Sequence, residues 1–217
     1  TVYHDFSTCQ LFLFVFVFSA CSVKTPREIP ENPYQTFSDS YSLELGTNLA
    51  DDDDPFTLVN LVNFNPSSFI GTFVDRESIT AVVEHGENSP QNDMGIPEEP
   101  FGLDAYYFEV NRVLEGDFQP GDVLMVCIHP DMKGHYPDFQ AGESYLLFVE
   151  YNAITKAYMQ LDGARGIFYV TEDGFVYPSS ANHTLRQLNG LTVDAFDKEV
   201  QKAIQTLGSD RDCLKNE

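Results

Sequence analysis

Basic side chains are scarce in this sequence. Twelve lysines and arginines stand against 34 aspartates and glutamates, a net charge of −22 over 217 residues. A surface this acidic repels a phosphate backbone or an anionic bilayer face over most of its area, which excludes nucleic acid as a partner. Long apolar runs are missing as well. LFLFVFVF at 11–18 has eight residues, well short of the ~20 that a membrane-spanning helix needs. The chain has no Gly-x-Ser-x-Gly elbow, no phosphate-cradling glycine loop and no His-Glu-x-x-His pair. The expectation is therefore a protein without a catalytic residue or a cofactor. What the chain does have is apolar material, 42% of its residues, enough to fill the core of one domain flanked by tails.

The densest part of that material is 103–151, which reads as three strands. Tyr106, Phe108 and Val110 alternate with Tyr107, Glu109 and Asn111, the period of two of a strand with one face in a core. Val123–Ile128 and Tyr145–Val149 are apolar on both faces, so neither strand can leave a face to water. Upstream, 56–75 fits a short helix through Leu58, Leu61 and Val62 and a strand over Phe69–Val74, with the boundary open; Ser78–Glu84 reads as a further strand and 85–102 as a long polar loop. Downstream, Ala157–Leu161 and Gly166–Val170 alternate as strands. Asp173-Gly174 turns the second of these into Phe175–Tyr177, a hairpin. Val193, Phe196, Val200, Ala203, Ile204 and Leu207 place one apolar stripe on a helix that Thr192 caps, Asp194 and Asp197 suit at its start, and Gly208 can end.

The N-terminal third reads differently. The run 11–18 followed by Ser19-Ala20-Cys21 has the length and small-residue ending of a secretory signal, so 1–20 are expected to be removed on export. Phe18-Ser19-Ala20-Cys21 also resembles the lipobox of bacterial lipoproteins, which implies lipidation of Cys21. The alternative is ordinary cleavage near Ala20 that leaves Cys21 a plain thiol. Residues 21–55, with Pro26, Pro30, Pro33, Gly46 and Asp51–Asp54, read as a flexible acidic spacer, since such a stretch has little to pack and like charges extend a chain. The domain is then 56–208, followed by a polar tail at 209–217.

Short strands, a long inter-strand loop and a terminal helix together suggest a closed or partly closed barrel, because closure hides strand edges. A resemblance points the same way. Ala81-Val82-Val83-Glu84, Tyr107-Phe108-Glu109-Val110 with Val113-Leu114-Glu115-Gly116, Gly121-Asp122-Val123 and Phe139–Phe148 with its Gly-Glu-x-Tyr-Leu-Leu-Phe element resemble bacterial exported proteins. Those carry an OB-like barrel similar to tissue-inhibitor-of-metalloproteinase and netrin modules, and most have no assigned activity. The resemblance implies a mainly β fold, an OB-like antiparallel β-barrel with a C-terminal amphipathic helix. Metalloproteinase inhibitors of this fold chelate zinc through a Cys-x-Cys N-terminus; Cys21-Ser22-Val23 lacks the second cysteine, and lipidation would block the amine.

Three constellations are candidates for chemistry. His129, Asp131 and His135, with Asp138 nearby, supply ligand types for a zinc or other divalent site, though 129–138 is equally a solvent-exposed turn. Arg165, in Asp162-Gly163-Ala164-Arg165-Gly166, is a candidate anion contact within a tight turn or bulge. Cys127 and Cys213 can form a disulfide after export, the alternative being a free buried Cys127. Asn182-His183-Thr184 is a glycosylation sequon in a eukaryotic setting. The expectation is a non-enzymatic extracytoplasmic lipoprotein, held at the cell or outer membrane by its lipid, that binds a protein or small ligand. A metal-dependent enzyme using the 129–138 loop and a metalloproteinase-inhibitor-like protein are the alternatives.

Overall fold

The computed structural model describes residues 27–38, 56–82, 100–153 and 155–214. Residues 1–20, Cys21, Asp51–Asp54 and most of the segment 85–102 lie outside the described residues, as does the side chain of Cys213. The fold is mainly β, with two α-helices among the described residues.

One eight-stranded sheet contains β1 (Ser67–Val82), β2 (Pro100–Glu115), β3 (Val123–Ile128), β4 (Ser144–Asn152), β5 (Ala157–Met159), β6 (Ile167–Val170), β7 (Phe175–Pro178) and β8 (Leu191–Thr192). Its order is β1-β2-β3-β5-β4-β6-β7-β8, and β1 pairs with β4 as well. The pairings of the first five strands thus run in a closed ring. All are antiparallel except β3 with β5. The expected strands at 103–151 are all present, but β3 and β4 are not neighbours: β5 lies between them.

Strand β1 makes the ring possible by serving two partners. Ser68–Thr72 pair with β4 and β2 together, whereas the rest of the strand to Val82 pairs with β2 alone. Its register against β2 shifts at Ser68/Phe69, Ile70/Gly71 and Phe73/Asp75, and bulges of this kind bend and twist a strand. Gly71 sits among these shifts because a Cβ there would lie 2.9 Å from the Phe69 ring and 3.1 Å from the Glu109 carbonyl oxygen. The two segments expected separately at Phe69–Val74 and Ser78–Glu84 run together as one continuous strand as far as Val82, where the described residues stop, since the bulges bend the chain without breaking its pairing. Past Thr72, where its pairing with β4 ends, β1 runs on against β2 as a β1–β2 arm, which is two-stranded beyond Ser78 and Asp104, where the pairing of β2 with β3 stops.

Both faces of β4 are buried, for different reasons. Tyr145, Leu147 and Val149 point into the ring with Phe69, Phe73, Phe108, Val110, Val126 and Ile128. Leu146 and Phe148 point outward beneath α1 (Leu58–Phe64) and α2 (Val193–Leu214), with Leu61, Val62, Phe168, Phe196 and Val200. The apolar run of β4 therefore reflects two cores, one on each side of the sheet. A third cluster, Leu103, Ala105, Cys127, Ala157 and Met159, lines the outer side of β2, β3 and β5.

The helices are held at their ends. Thr57 and Asn60 cap α1 reciprocally, the Asn60 amide donating to Thr57 Oγ1 and the Thr57 amide to Asn60 Oδ1. For α2, Thr192 Oγ1 accepts from the Ala195 amide at 3.3 Å. Arg112 on β2 forks to Asp194 and Asp197, 2.6 Å each, tying the first turn of α2 to the sheet. The fork holds the Asp194 carboxyl below its ordinary range. Gly208 does not end α2, which runs on to Leu214; one glycine lowers helix stability without forcing a stop.

Residues 27–38 correct the expectation of an unpacked spacer. Phe37 bridges Ser180, with its amide donating to the Ser179 carbonyl and its carbonyl accepting from the Ala181 amide, each at 2.8 Å. The Tyr34 ring stacks on Tyr169, centroids 4.3 Å apart, and the Tyr169 hydroxyl donates to the Gln35 carbonyl. Asn32 Nδ2 donates to the Pro178 carbonyl, and Arg27 to that of Asn189. Prolines mislead here, because an extended segment without a hydrogen-bonding pattern of its own can still dock through its few aromatic residues.

Candidate functional site

The loop between β3 and β4 closes one end of the ring. His129 opens it, its Nδ1 accepting from the Asp131 amide at 3.3 Å, and a short 3-10 turn follows over Pro130–Met132. Met132, Tyr136 and Phe139 are then buried against the ring's interior side chains. Phe139 is the centre of this plug. Its ring lies 4.9 Å from Tyr145, 5.0 Å from Tyr106, 5.1 Å from Phe108 and 5.8 Å from Phe73, mostly edge to face. The loop is fastened by main-chain bonds: the Gly142 amide donates to the Phe73 carbonyl, the Phe73 amide to that of Glu143, and the Ala164 amide to that of His135.

Between this plug and the β1–β2 arm lies a polar cavity of about 320 Å³. Arg76, Glu77 and Ser78 approach it from β1, Asp104 and Tyr106 from β2, and Lys133, Gly134, Tyr136 and Asp138 from the plug. The volume falls in the range of small-molecule sites. Gly134 adopts φ +87°, a backbone angle that glycine takes readily and that turns the loop at the cavity wall. Where the cavity meets the core, the Tyr106 and Tyr136 hydroxyls are hydrogen-bonded to each other at 2.9 Å, both side chains nearly inaccessible. Ser78 Oγ donates to Asp104 Oδ1 at 3.0 Å, and the Tyr107 hydroxyl bonds Glu77.

Burial pushes the pKa of both cavity tyrosines upward, and Asp104 and Asp138 add to the shift of each. Tyr145 is raised by burial too, and Tyr169 is pushed up to about 12. A phenol whose pKa is higher folded than unfolded contributes its full stabilisation below the unfolded value near 10, and loses it as the pH rises through the folded value. Two outcomes are expected: stability declines from about pH 10 upward, and in an ultraviolet titration these four phenols ionise at higher pH than free tyrosine. Ionisation of every tyrosine in one step near pH 10 would contradict the packing of the plug.

Apart from Asp138, the residues singled out from sequence fall elsewhere. His129 and Asp131 meet, Nδ1 to Oδ2 at 3.4 Å, but no group of three His, Cys, Asp or Glu side chains able to hold a metal ion occurs among the described residues, so His135 does not complete a set. Main-chain bonding of the loop and burial of Met132 and Tyr136 set its shape instead. Arg165 is inside the fold, not displayed on the acidic surface: it is 7% exposed and lies over the Phe56 ring at 4.7 Å. Its charge acts on Asp162, whose carboxyl accepts from Asn65 Nδ2 and whose pKa burial raises. Cys127 is a free thiol, fully buried, with its pKa raised by desolvation and so chemically quiet. Asn182 Oδ1 accepts from the Thr184 and Leu185 amides just ahead of a short 3-10 turn over Leu185–Leu188.

No family model matches the chain, and no curated protein matches it. Of the cavity's residues, only Asp138 stands among the candidate ligands that the sequence offers. The missed signal was two aromatic residues, Tyr136 and Phe139, in a glycine- and proline-containing loop, where a purely solvated turn has no use for them.

Proposed function

We propose that this protein is a non-enzymatic extracytoplasmic binding module, an OB-like barrel that takes a small ligand in the cavity between its β1–β2 arm and the β3–β4 plug. The observation that carries this reading is the cavity itself, walled by side chains on regular strands and on a plug fastened by main-chain bonds. A pre-formed site of this kind spends little binding energy on ordering. The OB-like reading is supported by the five-membered ring of strands and by its single parallel pair, β3 with β5, consistent with a small Greek-key barrel. Fold alone assigns no activity.

Export and lipidation at Cys21 are part of the proposal and are supported by the 11–21 pattern. With 27–38 packed on the domain, only six residue steps separate Cys21 from Arg27, about 20 Å at full extension. A lipid on Cys21 would therefore hold the β6–β7 side of the domain near the bilayer.

The test is a thermal-shift survey of the full chain against amino acids, dipeptides, sugars, dicarboxylates and divalent cations. A ligand at a hundredfold excess over its Kd adds about 2.7 kcal/mol of stability. The reading expects one class to raise Tm and Arg76→Ala to remove that rise. If no class shifts Tm, or the rise survives Arg76→Ala, the cavity is not the site.

A further inference from the structure

The cavity carries both signs of charge in a chain that is otherwise overwhelmingly acidic. Arg76 and Lys133 are two of only 12 basic residues, and both line it. Among the described residues neither side chain makes a hydrogen bond or ion pair, unlike Arg112 and Lys202, which are engaged with carboxylates. Facing the same space are Asp104, which accepts from Ser78, and Asp138. Tyr106 lies in the field of all three of Arg76, Asp104 and Asp138, so the opposite charges converge on one place and are not spread over the rim.

The hydroxyl pair adds a neutral contact. Two phenols bonded to each other use one O–H between them and leave the other free to donate, along with unused acceptor capacity. Both remain protonated at neutral pH.

A simple anion is poorly matched to this site, because two carboxylates face the same space as the two cations and the whole surface repels it. A simple cation would leave Arg76 and Lys133 facing it. We propose that the ligand is a small zwitterion of the amino-acid or short-peptide class, its carboxylate on Arg76 and Lys133 and its ammonium on Asp104 and Asp138. Arginine grips a carboxylate through a planar fork of donors, which gives the acid end the stronger directional contact. The cavity volume, roughly ten times the ~30 Å³ share of a water molecule, suits a dipeptide. This inference deepens the binding-module reading and rests on it.

The test is calorimetric titration of the full chain with glycylglycine, N-acetylglycylglycine and glycylglycine amide, which differ only in whether each terminal charge is present. Glycylglycine is expected to bind, and each capped form to bind about 10- to 100-fold more weakly, the usual cost of leaving a charged hydrogen-bonding group unpaired. Arg76→Gln should erase the penalty on the amide, and Asp138→Asn the penalty on the acetylated form. Both positions are exposed, so the variants should melt like the parent. Equal binding of all three probes, or a ranking unchanged in both variants, overturns the zwitterion assignment. If an uncharged ligand such as a sugar occupies the cavity instead, that assignment falls and the binding module stands. If no compound binds, and the nuclear magnetic resonance signals of Tyr106 and Tyr136 stay fixed throughout, both readings fall.

Discussion

Replacing Phe148 by alanine is expected to destabilise the protein by about 3–5 kcal/mol, the cost of removing a fully buried ring and leaving a cavity. Phe148 has no solvent exposure and lies on the outer face of β4, its ring 5.9 Å from Phe168 and 6.4 Å from Phe196. It joins three elements: the ring of strands, the β6–β7 hairpin and α2. None of them can collapse far into the space, because β4 is hydrogen-bonded on both edges and α2 is pinned by the Arg112 fork. Urea unfolding should show a lower midpoint with an unchanged slope. A midpoint within error of the parent would mean that the helices do not cover this face.

Phe139→Ala should cost a similar ~3–5 kcal/mol, with a different consequence for function. Phe139 packs inside the ring's mouth, where its aromatic neighbours include the two cavity tyrosines. Removing it frees Tyr136 to move and breaks the pre-formed wall, so binding should weaken even at temperatures where the variant is fully folded. Phe148→Ala should leave the affinity of the folded fraction unchanged. The pair thereby separates stability from site geometry: equal affinity in both variants would remove the plug from the binding mechanism. Phe139→Leu, which keeps most of the apolar volume, should recover stability more than affinity.

Much of this fold is legible in the sequence because its strands and long helix have simple periods. Leu146 and Phe148 against Tyr145, Leu147 and Val149 announce a strand buried on both faces, and α1 and α2 are what cover the second face. Asp173-Gly174 announces a turn, and Gly174 takes φ +76° there. The stripe through Phe196, Val200 and Ala203 announces the face of α2 that meets the core. The cavity has no such period. It depends on Arg76, Tyr106 and Tyr136 meeting from two strands and an irregular loop, and nothing local in the sequence encodes a meeting across 30 residues between the two tyrosines. Histidines and aspartates in the 129–138 loop draw the eye as ligands, whereas its shape is set by Met132, Tyr136 and Phe139 turning inward. The docked segment 27–38 escapes for the same reason. Tyr34 and Phe37 hold it, but no repeat marks them.

The cavity requires the first five strands to close on one another, since only then do the β1–β2 arm and the plug face each other at one end. Amide cross-relaxation in solution tests that directly. Contacts between Ile70 and Leu146, where β1 meets β4, are expected together with contacts between Val126 and Tyr158, where β3 runs parallel to β5. Contacts from β1 to β2 and from β2 to β3, with neither of those closing pairs, would describe an open sheet and contradict the account.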